Sequence, residues 1–373
     1  MLYCCHAWLA GYILLRSVKM KKKSEITLWG YYGFKNLGDD VMLDVCLQAI
    51  KRSRRYENIN VFGNYDTEKI EDGVTFKPLA GLKNKLCFLC ALMRSEKLVW
   101  GGGTCFYKDE NTGYSGLILL FIVTLFCFIT GTKNYFVGVG IGHLTTNWAK
   151  IIVNLILQFS TFVVFRDNKS YQKAMHDFRL KKCELGGDLV LLNGIYANSD
   201  QSHENESFIS VSGHYAYVCD EKLIHNYTVA INNVIERTGI SNICFVSMHQ
   251  HTINNDHEFH RELCKHLPDT IKFHFCNENE SVQKIALSKY HIGMRLHSIV
   301  FATLYKVPLV AFTYSPKINA FLEHMYFSPC VFDGTSLVDN LELEQMTCTN
   351  LNITNISDEK QRALKTLTDV VTG

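Results

Sequence analysis

Short apolar runs rich in β-branched and aromatic residues alternate with longer stretches of helical period along most of the chain, which is the pattern of parallel α/β layers. In the first half, residues 26–29, 98–100, 135–138 and 162–165 read as strands, with helices at 41–51, 117–129 and 148–157. A polar stretch at 197–207 has no apolar period and breaks the alternation. Beyond it the pattern restarts, with strands at 208–211, 243–248, 271–273, 290–292 and 309–312 and helices at 222–237, 257–267, 282–287 and 296–304. This predicts an α/β chain with an N-terminal domain at 25–197, a linker at 198–207 and a C-terminal domain with closing helices at 208–373. Two open sheets joined in this way place a ligand in the cleft between them, near the C-terminal ends of their strands.

At 373 residues, 47% hydrophobic and 20% charged, the chain has the length of about two ordinary domains and is too apolar to be mainly disordered. Lys and Arg number 38 against 36 Asp and Glu, a formal +2. No global field therefore recruits nucleic acid or an anionic membrane, and any anion site has to be local. The 14 cysteines are scattered through apolar segments such as Leu86-Cys87-Phe88-Leu89-Cys90, where cysteine acts as a small buried hydrophobe in a reducing compartment. That points to the cytoplasm.

Residues 1–24 precede the first strand and are expected to lie outside the fold. Their apolar run at 7–15 lacks the basic leader and the small-residue cleavage site of a signal peptide. Met20, directly before Lys21-Lys22-Lys23, reads as a second start, which makes 1–19 an upstream extension. The segment 117–130, LILLFIVTLFCFIT, falls short of the roughly 20 residues needed to span a bilayer. It reads as a buried or membrane-apposed helix.

Four stretches carry chemistry. The first, Gly30-Tyr31-Tyr32-Gly33-Phe34-Lys35-Asn36-Leu37-Gly38-Asp39-Asp40, lies between a strand and a helix, and its glycines permit close approach of a ligand. Asp39 and Asp40 fall where the helix begins, so either is an N-cap or a catalytic carboxylate. The spacing fits neither the dinucleotide fingerprint nor a P-loop. The second, Gly101-Gly102-Gly103, follows a strand and would leave backbone N–H groups facing an anion or a sugar hydroxyl. The third is Arg166-Asp167, where arginine at a strand end suits forked recognition of phosphate or carboxylate, or simply pairs and caps.

The fourth stretch, Gly293-Met294-Arg295-Leu296-His297, sits at a strand-to-helix turn, where a helix N-terminus adds positive potential. Lys317 follows the next strand, which a parallel sheet returns to the same edge. Guanidinium, imidazole and ammonium together make a site for a small, multiply charged anion.

In their order and spacing these four blocks resemble those of the polysaccharide pyruvyl transferases, over most of the chain from residue 26 to the helix after Lys317. The resemblance implies two Rossmann-like domains with parallel sheets facing a central cleft, as in the GT-B glycosyltransferases. It implies phosphoenolpyruvate as donor, a saccharide or lipid-linked saccharide with two nearby hydroxyls as acceptor, and a pyruvate ketal plus phosphate as products. Carried over block by block, His297 and Asp39 are the catalytic pair. Arg295, Arg166 and Lys317 contact the donor, and Asn36, Asp40, Gly101, Gly102 and Gly103 line the acceptor side. A donor bearing carboxylate and phosphate calls for several forked cations. Ketal formation calls for a proton at the methylene carbon, from His297, and a base for the hydroxyl protons, Asp39. No metal or cofactor is required, because the enolic phosphate is already a good leaving group beside Lys and Arg. The implied setting is cell-envelope exopolysaccharide synthesis at the inner face of the membrane, with peripheral membrane contact and no nucleic acid.

Two departures stand out. Many family members carry arginine just after the first strand of the second half, whereas here the chain reads Val211-Ser212-Gly213-His214, so His214 replaces that cation or the donor binds differently. Gly142 is followed by His143, where the family tends to Gly-Pro. The run from His249 to His260 places His257 and His260 on one helix face, which suits acceptor contact better than a metal lacking further ligands. Cys87-x-x-Cys90 reads as two buried helix positions rather than a redox pair. Two other functions fit the same blocks: a GT-B glycosyltransferase using a nucleotide sugar, and a non-catalytic protein that binds a polysaccharide precursor.

Overall fold

The computed structural model describes residues 24–110, 112–194, 207–251, 254–326, 331–332 and 351–373. All but the last residue of the expected N-terminal extension, and all but the last residue of the expected linker, lie outside the described residues. The chain divides into two compact units, one of Met1–Phe34, Met42–Leu192 and Lys360–Gly373 and the other of Lys35–Val41 and Asn193–Glu359.

Unit 1 contains β1 (Glu25–Trp29), most of α1 (Leu37–Ser53), β2 (Asn58–Gly63), β3 (Lys69–Glu71), β4 (Val74–Pro78), α2 (Leu82–Arg94), β5 (Ser95–Gly101) and β6 (Phe106–Lys108). It continues with α3 (Ser115–Thr130), β7 (Lys133–Val139), β8 (Ile141–Leu144), α4 (Asn147–Phe159), β9 (Phe162–Phe165), α5 (Asn168–His176) and β10 (Cys183–Leu185). Eight strands form one sheet in the order β10-β9-β7-β5-β1-β2-β4-β3, and β6 pairs with β8. Every pairing in the large sheet is parallel except β3 with β4. Central strands covered on both faces read as continuous apolar runs, which is why β1, β5, β7 and β9 were legible in the sequence. β2 was not, because Asn58 and Asn60 interrupt its run; Asn60 is buried and its Nδ2 donates to Glu25 Oε2 at 3.3 Å.

Helices α2, α3 and α4 bury one face each in a single core with the sheet, through Phe88 and Leu92, Leu120 and Val123, and Val153 and Ile156. The apolar segment 117–130 is thus a helix lying on a sheet, closed by Gly131 in the left-handed region at φ 72°. Among the described residues no helix is long and apolar enough to cross a membrane. Cys87 and Cys90 do lie on α2, but Cys90 is exposed rather than buried.

The final residues of the chain belong to unit 1, whereas chain order alone had grouped them with the second half. Lys97, fully buried on β5, donates through Nζ to the carbonyls of Val370 at 2.5 Å and Val371 at 3.3 Å. Tyr56 Oη donates to Val371 O at 3.2 Å, and Arg55 reaches Thr372 O. Donors at the open carbonyls of a helix C-terminus satisfy groups that would otherwise be orphaned. Burial, reinforced by Arg55, lowers the Lys97 ammonium to about 8.

Unit 2 contains β11 (Ile209–Ser212), α6 (Glu221–Thr238), β12 (Asn242–Phe245), α7 (His257–Cys264), β13 (Lys272–Phe275), α8 (Glu278–Leu287), β14 (Tyr290–Gly293) and α9 (Leu296–Leu304). β15 (Leu309–Phe312), α10 (Pro316–Met325), β16 (Val331–Phe332) and the first turns of α11 (Ile353–Thr372) complete it. Its sheet is parallel throughout, in the order β13-β12-β11-β14-β15-β16. The turns at the C-terminal ends of β11, β12, β14 and β15 therefore open on one edge, where a doubly wound sheet binds ligands.

Candidate active site

Residues 35–41 carry Asn36, Asp39 and Asp40 and belong to unit 2 rather than to the N-terminal half in which chain order placed them. Backbone pairing accounts for this: Leu37 N donates to Met248 O at 3.0 Å, Gln250 N donates to Lys35 O at 3.1 Å, and Asn36 forms an antiparallel bridge with His249. Helix α1 begins at Leu37, so Asn36 precedes it and the two aspartates lie in its first turn, not at the N-cap. Carboxylates there are favoured by the helix dipole. Asp39 is buried, at 8% exposure.

Gly38 brings the second block to the first. A Cβ at Gly38 would stand 1.8 Å from His297 Nδ1, so the absence of a side chain lets the imidazole pack on the first turn of α1, at the residue that precedes Asp39. The two residues assigned as acid and base thus share one unit and one local contact region, although 258 positions separate Asp39 from His297 in the chain.

Arg295 stands at the N-cap position of α9 without capping it. Its guanidinium is held in a fork by Asp256, Nε to Oδ2 at 3.1 Å and Nη2 to Oδ1. Asp256 is fully buried, and its oxygens also accept the amide N–H groups of Met248 at 3.2 Å, His249 at 3.0 Å and Tyr215 at 3.2 Å. One carboxylate therefore orients the arginine and ties two backbone segments to it. The Arg295 guanidinium also lies 5.4 Å from the centre of the Tyr215 ring.

His214 lies beside this arginine, with Tyr215, Tyr217 and Tyr314 around its ring at 4.9, 5.4 and 5.2 Å. Its Nδ1 accepts the Ala216 N–H at 3.1 Å, so its proton sits on Nε2. Burial, then the charges of Arg295 and Lys317, push its pKa down to about 3. It does not supply the positive charge expected of it as a stand-in for arginine; at neutral pH it is a hydrogen-bond donor. Lys317, exposed at the start of α10, and Arg295 both act on His214 through their charge.

The pair His257 and His260 has an interior role instead of contacting an acceptor. Gly213 N donates to His260 Nε2 at 2.9 Å, His260 Nδ1 meets His257 Nδ1 at 3.0 Å, and His257 Nε2 reaches Cys276 O at 3.0 Å. The backbone ends fix both tautomers: the chain conducts from Gly213 to Cys276 only if both rings are neutral. Burial lowers both pKa values.

His291, fully buried on β14 with Nδ1 2.7 Å from Ser210 Oγ, is likewise pushed down to about 3 by burial. Because the folded value lies below the unfolded one, its contribution to stability is complete above about pH 6.5 and is lost as pH falls below that. His291→Asn, which keeps an acceptor for Ser210, is expected to remove about 2 kcal/mol of the stability loss between pH 6.5 and 5. Urea unfolding at stepped pH reads this directly; a variant as acid-sensitive as the parent would take His291 out of the account.

The other predicted residues stand in unit 1. In the glycine run, Gly101 N donates to Tyr32 Oη at 3.2 Å and Gly102 N to Val137 O at 2.7 Å, while Gly103 O accepts from Gly140 N. The first two amides, expected to face a ligand, are thus used internally. The run is needed for packing: Gly102 has φ +81°, and a Cβ there would lie 2.0 Å from Met42 Sδ on α1. Arg166 Nη2 donates to Thr104 Oγ1 at 2.8 Å, and the guanidinium lies 3.6 Å from Asp167 and 3.8 Å from Asp188. With its charge already met by two carboxylates, Arg166 braces the residue after the glycines. Asp167 caps α5 by accepting Ser170 N at 2.7 Å.

Among the described residues, His274, Cys276 and Glu280 bring potential metal-ligand atoms within 4.8 Å of one another. His274 pairs with Glu280 at 3.4 Å, and a hydrogen bond to Cys244 together with burial raises the Cys276 thiol, keeping it protonated.

Asp256, which holds Arg295, is the residue of this cluster that the sequence did not single out. An aspartate before a helix reads as a cap, and its partner Arg295 lies 39 positions away. Tyr215 and Tyr217 were hidden for a related reason, in a segment after β11 with no apolar period.

Among solved structures, UDP-GlcNAc 2-epimerase from Methanocaldococcus jannaschii superposes with a TM-score of 0.63 at 13% identity, over 94% of this chain and 99% of that one. S. aureus MnaA, solved with UDP, gives 0.59 at 11% identity over 94% and 98%, and the UDP-forming α,α-trehalose-phosphate synthase from Burkholderia vietnamiensis gives 0.50 at 8% over 94% and 98%. These likenesses establish the fold, the two Rossmann-like units of the GT-B class. No curated protein matches the chain. The family model described as polysaccharide pyruvyl transferase matches residues 36–316, from Asn36 through Asp256, Arg295 and His297 to the residue before Lys317, and the chain therefore belongs to the polysaccharide pyruvyl transferase family.

Proposed function

We propose that the protein transfers pyruvate from phosphoenolpyruvate to two hydroxyls of a sugar in a cell-surface polysaccharide or its lipid-linked precursor, working at the cytoplasmic face of the membrane and contacting it peripherally. The observation that carries the reading is the packing of His297 on Gly38 beside Asp39, next to an Arg295 held in a fork by Asp256. In this reading Arg295 and Lys317 take the donor's carboxylate and phosphate, with a hydrogen bond from neutral His214, and Arg166 and the glycine run hold their own unit in shape.

His297 gives a proton to the methylene carbon, which becomes the methyl group, and the adjacent carbon acquires oxocarbenium character. A sugar hydroxyl adds there and passes its proton to Asp39. The C–O bond to phosphate then breaks, and a second hydroxyl closes the ketal. Of the two hydroxyl protons, one restores His297 and the other leaves on phosphate, so the sum is donor plus diol to ketal plus inorganic phosphate.

Two measurements test this. Phosphoenolpyruvate is expected to raise the melting temperature, by mass action on the folded state, where UDP and GDP do not. Incubation with candidate lipid-linked saccharides is expected to release phosphate and to add about 70 Da, the ketal increment, to one of them. Stabilisation by UDP alone would transfer the assignment to a nucleotide-sugar enzyme. Stabilisation by neither, with an unchanged phenotype in His297→Ala, would favour a non-catalytic binder.

A further inference from the structure

Helices α2, α3 and α4 turn their inner faces to the unit 1 core, and α3 packs against both neighbours, its Phe128 ring 5.1 Å from Phe159 of α4. Their outer faces are apolar too. Leu82 and Leu86 on α2, Ile118 and Ile122 on α3, and Trp148 and Ile151 on α4 are all exposed, at one-turn spacings that put each pair on one side of its helix. Leu82 is 77% exposed and Trp148 69%. Patches of this kind on a monomer mark a binding surface.

Charge identifies the occupant. The three helices contain Lys83, Lys85, Arg94 and Lys150 and no Asp or Glu, and α3 carries no charge at all. Arg94 is paired with Glu25, which leaves the three exposed lysines. A second copy docked face to face would set these lysines against one another without a carboxylate. Residues 1–23 carry Arg16, Lys19 and Lys21 to Lys23 and no acid, so they do not complement the face either. An anionic bilayer complements both features, taking apolar side chains at its interface, a tryptophan at headgroup depth and lysines on phosphates.

We propose that α2, α3 and α4 form a docking face for an anionic phospholipid bilayer, lying in the interface without crossing it. This deepens the lipid-linked reading of the acceptor and rests on it for its biological sense, but vesicle binding is read without any chemistry. In flotation assays the full chain is expected to rise with vesicles of equal parts phosphatidylcholine and phosphatidylglycerol, less so at high salt, and not with phosphatidylcholine alone.

Ile122→Glu with Trp148→Glu is expected to weaken partitioning at least about tenfold. Replacing Lys83, Lys85 and Lys150 by Ser is expected to weaken it about 100-fold, at about fivefold per lysine. All five positions are exposed, and an unchanged melting temperature verifies the fold. Absence of flotation with anionic vesicles, variants that float like the parent, a dimer dissolved by Ile122→Glu, or binding lost only when 1–19 are deleted would each overturn the proposal. Phosphate release with a water-soluble saccharide is measured on the same proteins: flotation without chemistry in the parent sinks the transferase reading and leaves the docking face, and chemistry without flotation does the reverse.

Discussion

Gly38→Ala is expected to reduce phosphate release from phosphoenolpyruvate by at least about 100-fold, the scale of loss that follows when a reacting group is misplaced by an ångström. The added methyl would fall 1.8 Å from His297 Nδ1 and 2.3 Å from Cε1, so the imidazole or the first turn of α1 must move. Overpacking of this kind costs about 1–3 kcal/mol, or about 2–4 °C in melting temperature per kcal/mol for a unit of this size. The variant separates a displaced ring from a generally damaged fold through a double-mutant cycle. His297→Ala removes the atoms that clash, so Gly38→Ala in that background should cost almost nothing in stability, giving a coupling of about 1–3 kcal/mol. If the two substitutions add simply, the contact does not hold the site together.

That contact was out of reach of the sequence, though both of its ends were visible. The blocks around Gly38 and Arg295 announce themselves through glycines and charged residues at strand-to-helix turns, and β14, α9 and β15 fall at or within a residue of where the apolar pattern puts them. What no local pattern encodes is that residues 35–41 leave the unit that precedes and follows them and pair with 248–250. That choice is made by three backbone interactions across some 210 positions of chain.

The triple glycine misled for the opposite reason. A run without side chains exposes amides equally well to a ligand or to a neighbouring element, and here Met42, Cys46 and Tyr32 occupy the space. His214 shows the same limit for charge: its identity suggested a cation, but burial among three tyrosines beside Arg295 makes it neutral. Residue type at a strand end was legible, whereas protonation depends on neighbours that only folding brings close.

Asp256→Ala is expected to destabilise the protein by about 3–5 kcal/mol, the usual consequence of removing one partner of a buried ion pair. Arg295 would be left with its charge uncompensated at 16% side-chain exposure, and the amides of Met248, His249 and Tyr215 would lose their acceptor. Because the Met248 and His249 segment is also the one that pairs with Lys35, Asn36 and Leu37, the loss should spread to the loop carrying Asp39. Asp256→Asn discriminates the two consequences. It retains an acceptor oxygen and most of the fold, but cannot hold the guanidinium in a two-oxygen fork. It is therefore expected to unfold in urea within about 2 kcal/mol of the parent while losing stabilisation by phosphoenolpyruvate, as is also expected of Arg295→Met. If Asp256→Ala remained within about 1 kcal/mol of the parent and still bound the donor, the Tyr215 ring rather than the carboxylate would have to be what places Arg295.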